Sequence, residues 1–481
     1  MKRSRLQSVA ASSLLLLGLC AAAEAGSRPR YGGTARVLLH DRVNSLDPAT
    51  EDDHPASRDR MAALVFETLT SVDRQGRVHP RLASAWTPDA ARRVWRFYLR
   101  LATFHDGSQL TAADAASVLS KNQYGWKVTA GDRQTVVIEA PAPVVHMPEM
   151  LAQPRFAVVK HLPDNAIAGT GPYKLREWQP AERAAFTANE DYWGGRPYPD
   201  AIEFQMGATL RDELLQRQLS PASAAELGLD QMRALDTSNQ SIALSSASDL
   251  MVLLFLQPES GGKPGRKPVD PRVREALSKA INRAAISNVI LQKHGLAASG
   301  LLPQWLTGYE FLFPGGTNLD RARELRAEAA GLIIISPIAL AYDFSDPVAK
   351  LAAERIAVDA REAGLTVQPY GESHINSRNA RASINADAVL LRIPLASLEP
   401  SVALASLAED LGLSLDLSVA ALGAARPEDL FEVESKALAD FRVVPVSHSS
   451  QALWLNNGVH NWVQLPNGVW DLDQLWVEGA R

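Results

Sequence analysis

The chain has 481 residues, 46% apolar and 21% charged, the usage of a globular protein with roughly two to four domains or lobes. This composition excludes long-range disorder, a collagen-like repeat and a small disulfide scaffold. With 49 basic and 54 acidic residues the net charge is −5, so no basic excess exists to neutralise a phosphate backbone and nucleic acid is not an expected partner.

Residues 1–25 have the order of a secretory signal. Lys2, Arg3 and Arg5 give a positive start, Leu14 to Leu17 and Leu19 an apolar centre, and Ala23-Glu24-Ala25 an A-x-A end. The apolar run falls short of the about 20 residues that span a membrane, so cleavage after Ala25 is expected. Lipid attachment through Cys20 is the poorer alternative, because Leu19 before it is not small. Cleavage removes three positive and one negative charge, leaving 46 basic and 53 acidic residues, net −7. It also removes the one cysteine, which excludes cysteine nucleophiles, Cys-ligated zinc and iron–sulfur clusters.

Helical and strand patterns then alternate, as in a mixed α/β protein. Residues 34–39 follow Gly32-Gly33 as a first strand. Residues 55–68 read as a helix with Met61, Leu64, Val65 and Thr68 on one face. In residues 94–100, Trp95, Phe97 and Leu99 alternate with Arg96, Tyr98 and Arg100, so one strand face is buried. His105-Asp106-Gly107 is a turn, and Thr111 with Asp114 a capping box opening a helix to about Lys121. Residues 135–139 are a strand, and 141–148 a proline-broken connection. Residues 261–265 read as a polar connector at a lobe boundary. Asp270-Pro271 starts a helix carrying Val273, Leu277 and Ile281 on one face. Residues 332–335 read as a buried strand. Asp346-Pro347 starts a helix to about Ala363 with Val348, Leu351, Ala352 and Ile356 inward, ended by Gly364. Strands follow from Thr366 and over 388–393. Residues 402–425, with Glu409, Asp410 and Asp416, read as Ala/Leu-rich surface helices, not a membrane span.

Catalytic signatures are missing from the sequence: no G-x-S-x-G and no H-E-x-x-H. The ten histidines are dispersed, and Asp471-Leu472-Asp473 with Glu478 is too short for a calcium loop. Asp52 and Asp53 are the best acidic pair for a hydrolase, a weak reading because loop carboxylates are ordinarily solvated. Trp86, Trp95, Trp178 and Trp193 read as core. Trp454, Trp462, Trp470 and Trp476 read first as packing of the C-terminal segment, and second as an apolar wall for a ligand.

Several segments, in order, resemble one family. They are residues 34–39 with Ser45-Leu46-Asp47-Pro48, Phe66-Glu67-Thr68-Leu69, and Pro80-Arg81-Leu82-Ala83-Ser84-Ala85-Trp86. Trp95-Arg96-Phe97-Tyr98-Leu99-Arg100, Phe104-His105-Asp106-Gly107-Ser108 and Leu110-Thr111-Ala112-Ala113-Asp114 follow. Gly169-Thr170-Gly171-Pro172-Tyr173-Lys174-Leu175, Asn189-Glu190-Asp191-Tyr192-Trp193-Gly194-Gly195 and Asp270-Pro271-Arg272-Val273-Arg274 with Ala280-Ile281-Asn282-Arg283 complete the run. The chain resembles the family 5 extracellular solute-binding proteins, the dipeptide, oligopeptide and nickel receptors of ABC transporters, well over residues 31–329 and loosely beyond.

The resemblance implies an α/β, two-lobed periplasmic-binding-protein-like fold of class II type with an extra small domain, trimmed relative to the family. Lobe I would comprise 26–49, 169–268 and 446–481, the small domain 50–168, and lobe II 269–445. It implies a monomeric periplasmic protein, not an enzyme, that captures a small or peptide-like solute and delivers it to ABC permease subunits. No cofactor and no metal are expected, nickel being disfavoured without a histidine cluster. A sensor or interaction protein with a degenerate pocket is the second reading. Peptide receptors carry an amine-binding aspartate at a position matching Ala396 here, and a tryptophan near Ile393. An unpaired buried ammonium costs several kcal/mol, so the sequence points to an anionic or neutral ligand anchored by Arg392. The expected ligand-lining residues are Arg392, Ser397, Glu399, His54, Tyr124 and Trp126.

Overall fold

The computed structural model describes residues 28–478 except 51, 53, 123, 164–165, 210–222, 229–240, 258–267 and 416–425. The expected signal segment and the connector at 261–265 lie outside the described residues.

Two sheets organise the lobes. The first has seven strands in the order Tyr173–Gln179, Arg183–Ala188, Ala201–Gln205, Thr34–Leu38, Ala224–Glu226, Ala452–Leu455 and Ser241–Leu244. Thr34–Leu38 is central and pairs in parallel on both sides. The second has six strands in the order Gly295–Ala297, Val443–Ser449, Asp249–Phe255, Ala388–Pro394, Ile338–Asp343 and Val367–Glu372. The small domain is a four-stranded antiparallel sheet, Ala83–Pro88, Val94–Leu99, Thr135–Glu139 and Lys127–Ala130, packed on the helix Ala112–Leu119. Trp95, Phe97 and Leu99 point into its core and Arg96 and Tyr98 outward, as the period of two requires. The capping box of Thr111 and Asp114 is present.

The lobe boundaries fall elsewhere than expected. Asp249–Phe255 is buried at every position, which a strand attains only with neighbours on both sides and both faces. It pairs with Ala388–Pro394 and Val443–Ser449, so it belongs to the second sheet. The chain therefore crosses between the sheets at 245–248 and 450–451. The crossings run side by side, the Ser245 N–H donating to the Gln451 carbonyl at 3.0 Å and the Gln451 N–H to Ser245 Oγ at 2.8 Å.

Four local readings are corrected. Residues 332–335 are not a buried strand: Leu332 is 70% and Ile334 94% exposed, and the strand begins at Ile338, opposite Val367. The helix Leu319–Ala330 closes at Gly331, and the strand waits until after Pro337, whose nitrogen cannot donate. The helix Pro347–Glu362 buries Ala349, Ala352, Ala353, Ile356, Ala357 and Ala360, leaving Leu351 exposed. The helix Pro55–Val65 stops before Thr68, since Phe66 turns extended. The helix Pro400–Leu411 is buried rather than superficial. The C-terminal tryptophans Trp454, Trp462, Trp470 and Trp476 are all buried in the first lobe's cores or hairpins, in keeping with packing.

The small domain is fixed to the first lobe by Glu67, which is 3% exposed. Its carboxylate accepts from Arg81 Nε at 2.7 Å, Thr170 Oγ1 at 2.8 Å, Tyr192 Oη at 2.8 Å and Trp193 Nε1 at 2.9 Å. Gly169 passes so close that a Cβ would lie 1.8 Å from the Val65 carbonyl oxygen, so only glycine fits there.

Candidate ligand-binding cleft

In open α/β sheets ligands sit beyond the carboxyl ends of strands, where connections diverge. In the first lobe the strand Thr34–Leu38 runs into the loop carrying Asp41, and the helix Pro55–Val65 starts across from it. Ser57 Oγ donates to Asp41 Oδ2 at 2.7 Å, and His54 Nδ1 lies 3.4 Å from Asp41 Oδ1. Arg60, one helical turn on, pairs with Glu226 at 2.7 Å and lies over the Trp470 ring at 4.7 Å. Glu226 also accepts from the His40 N–H at 3.0 Å.

The second lobe answers with its own charges. Asp249 starts one strand, and Arg392 stands near the end of its antiparallel neighbour. Arg392 lies 2.9 Å from Asp346, the N-cap of the helix Pro347–Glu362, and 3.5 Å from Asp249. Gln451, on the crossing, donates Nε2 to Asp249 at 2.7 Å. The two halves meet electrostatically, since the charge of Asp41 acts on Glu226, Asp249 and Arg392. Burial pushes the Asp249 and Glu226 carboxyls up, and the nearby Asp41 charge adds to both. Asp346, and then Asp249, hold the Arg392 guanidinium firmly protonated. Burial would raise Asp346 too, but Arg392 outweighs it and holds its carboxyl low.

Of the expected lining residues, His54 lies beside Asp41 and Arg392 between Asp346 and Asp249, within this charged cluster. The other four lie elsewhere. Trp126 is 5% exposed, stacked on Tyr124 and Phe156 in the small-domain core. Tyr124 donates to Glu409 at 3.0 Å. Ser397 is buried and accepts from the Glu399 N–H at 3.1 Å, while Glu399 caps the helix Pro400–Leu411 through Ser401. Asp52 accepts from the backbone N–H groups of Asn44, Ser45 and His54, the partners of a loop brace. Asp53 lies outside the described residues.

Asp41, Arg60, Glu226, Asp249, Asp346 and Gln451 escaped the sequence reading as site residues. Asp346 was legible as a helix cap, not as a partner of Arg392. An aspartate opening the apolar run 249–255 was a usable signal for Asp249, because a charge at the mouth of a buried strand needs a partner.

Two lobes are joined by paired crossings, and a third, small domain is attached to the first. The family model for bacterial extracellular solute-binding proteins, family 5 Middle, matches residues 77–410. The chain belongs to that family. Among curated proteins this family 5 chain is 26% identical over 318 residues to the glutathione-binding protein GsiB of Escherichia coli O1:K1 / APEC, covering 61% of the chain and 60% of GsiB. It is 29% identical over 181 residues to the uncharacterized protein YhjP of Bacillus subtilis (strain 168), covering 35% of the chain and 31% of YhjP. The matched stretches thus span less than two thirds of these relatives. In fold the family 5 chain is similar to the PBP AgaA of A. tumefaciens R10 in complex with agropinic acid, at TM-score 0.79 and 18% identity over 93% of this chain and 99% of that one. It is also similar to the oligopeptide-binding protein AppA of Bacillus subtilis in complex with a nonapeptide, at TM-score 0.76 and 17% identity over 94% and 100%. Among the described residues no helix is long and apolar enough to cross a membrane.

Proposed function

We propose that this protein is the periplasmic substrate-binding component of an ABC importer, exported by residues 1–25, which encloses a small solute between its lobes and presents it to membrane permease subunits. Its role is binding, not catalysis. Family membership supports this over a degenerate scaffold, and the observation that carries it is the charged cluster of Asp41, Glu226, Asp249 and Arg392, contributed by both sheets beside the paired crossings.

The charge balance of that cleft revises the expected ligand. Asp41, Glu226, Asp249 and Asp346 set four carboxylates against the two guanidiniums of Arg60 and Arg392. Arg392 is already engaged by two carboxylates, so it is poorly placed to anchor an anion. The partly exposed Asp41 is the better anchor, and it suits a ligand with a cationic group. A thermal-shift screen of the chain from residue 26 against amines, zwitterionic short peptides, opine-like acids, oligosaccharides and metal chelates tests this. A ligand at about 100 times its Kd adds roughly 2.7 kcal/mol. A shift with ammonium-bearing compounds that Asp41→Asn abolishes is expected. A shift only with simple anions would refute the charge assignment, and no shift with any class would refute solute binding.

A further inference from the structure

The helix Pro400–Leu411 belongs to the second lobe by its core. Ala403, Leu404, Leu407 and Leu411 pack there with Leu391, Ile393 and Leu430. A second stripe, Val402, Ser406 and Glu409, lies four and then three residues apart and so shares another face. That face meets the small domain. Val402 is fully buried and joins the small-domain cluster containing Leu69, Met147 and Phe156. Arg155 donates to Ser406 Oγ and pairs with Glu409 at 2.6 Å. Tyr124 donates to the same carboxylate oxygen at 3.0 Å. Beyond the helix N-terminus, Glu399 lies 3.7 Å from His146 Nε2, and Leu398 covers Gly76.

This seam adds a contact between the second lobe and the small domain to the two crossings and the charged cluster that join the lobes. It contains one apolar knob and a polar rim, with the Arg155 and Glu409 side chains 26% and 21% exposed. Such a contact holds in one position, and parting it exposes Val402 while its charged pair regains water.

We propose that the Val402–Ser406–Glu409 stripe is a closure latch that lets the ligand-free protein occupy the closed form by docking on Phe156, Arg155 and Tyr124. Ligand then adds to a closure already populated rather than creating it, and opening the latch costs affinity without touching the cleft.

Small-angle scattering on the ligand-stripped chain from residue 26 tests this. The wild type is expected to be compact, and Arg155→Glu and Val402→Ser to show a larger radius of gyration with unchanged circular dichroism. The paired exchange Arg155→Glu with Glu409→Arg is expected to restore the compact form. A wild type as extended as the variants, or variants as compact as the wild type, would overturn the latch. If Val402→Ser melts early, Glu409→Gln, which keeps shape and removes charge, gives the same reading in its place.

Discussion

The small domain is held on two sides by seams of different chemistry. Toward the first lobe it is joined through Glu67, a buried carboxylate with four donors around it, and through Gly169, where no side chain fits. Toward the second lobe it touches Val402, Ser406 and Glu409 through an ion pair about a quarter exposed and a buried valine. A buried charge that loses a partner is costly, whereas a partly solvated pair exchanges protein for water nearly evenly. The small domain is therefore a fixed extension of the first lobe and a detachable neighbour of the second.

The largest expected effect comes from breaking the first seam. Glu67→Ala takes one of its two carboxylates from Arg81, which keeps Asp473, and the buried acceptor from three further donors, and should cost about 3–5 kcal/mol of stability by denaturant unfolding. Next comes the cleft. Asp41→Asn removes the proposed anchor for a cationic group and should weaken binding of an ammonium-bearing ligand at least tenfold in calorimetry, about 1.4 kcal/mol or more. Smaller again is Arg155→Ala, which should shift closure by about 1 kcal/mol or less and leave global melting near the wild-type value.

Two buried carboxyls should also make stability depend on pH. Asp410, beside the latch, has its carboxyl pushed up to about 6 by burial, against the opposing pull of Arg155 and Arg381 and with Glu409 and Asp59 adding to the rise. A carboxyl raised in the folded protein favours folding when protonated. Stability should therefore be greatest below the ordinary carboxylate range and fall as pH rises through about 6, and Asp410→Asn should flatten that slope in denaturant unfolding. Glu434, in the second lobe's interior, is raised by burial to about 7 while accepting from Leu302 N–H at 3.3 Å and Tyr309 Oη at 2.8 Å. By the same sign, it should lower global stability as pH climbs from about 4.5 to 7, a slope that Glu434→Gln removes without changing closure.

Much of the scaffold was legible. Alternation gave the strand Val94–Leu99, Thr111 and Asp114 gave the helix they cap, and Asp346-Pro347 gave the helix Pro347–Glu362. These signals are local, fixed by period and capping chemistry. What failed was long-range. Residues 332–335 are apolar enough for a strand, but sheet registry placed the strand at Ile338. Charges on an Ala/Leu-rich helix suggested a surface, while Glu409 is spent on Arg155 and Tyr124, which lie far away in sequence. The cleft shows the same limit: Asp41, Glu226, Asp249 and Arg392 meet only once both sheets are assembled, and no spacing in the sequence announces that.

The most direct test of the two-seam account is pulsed dipolar spectroscopy on the ligand-stripped chain from residue 26, which has no native cysteine. One label pair, Lys127→Cys with Arg183→Cys, spans the small domain and first lobe. The other, Lys127→Cys with Lys350→Cys, spans the small domain and second lobe. The account predicts that Arg155→Ala leaves the first distance narrow and unmoved and adds a longer component to the second. A first distance that broadens with the second, or a second that stays unchanged, would contradict it.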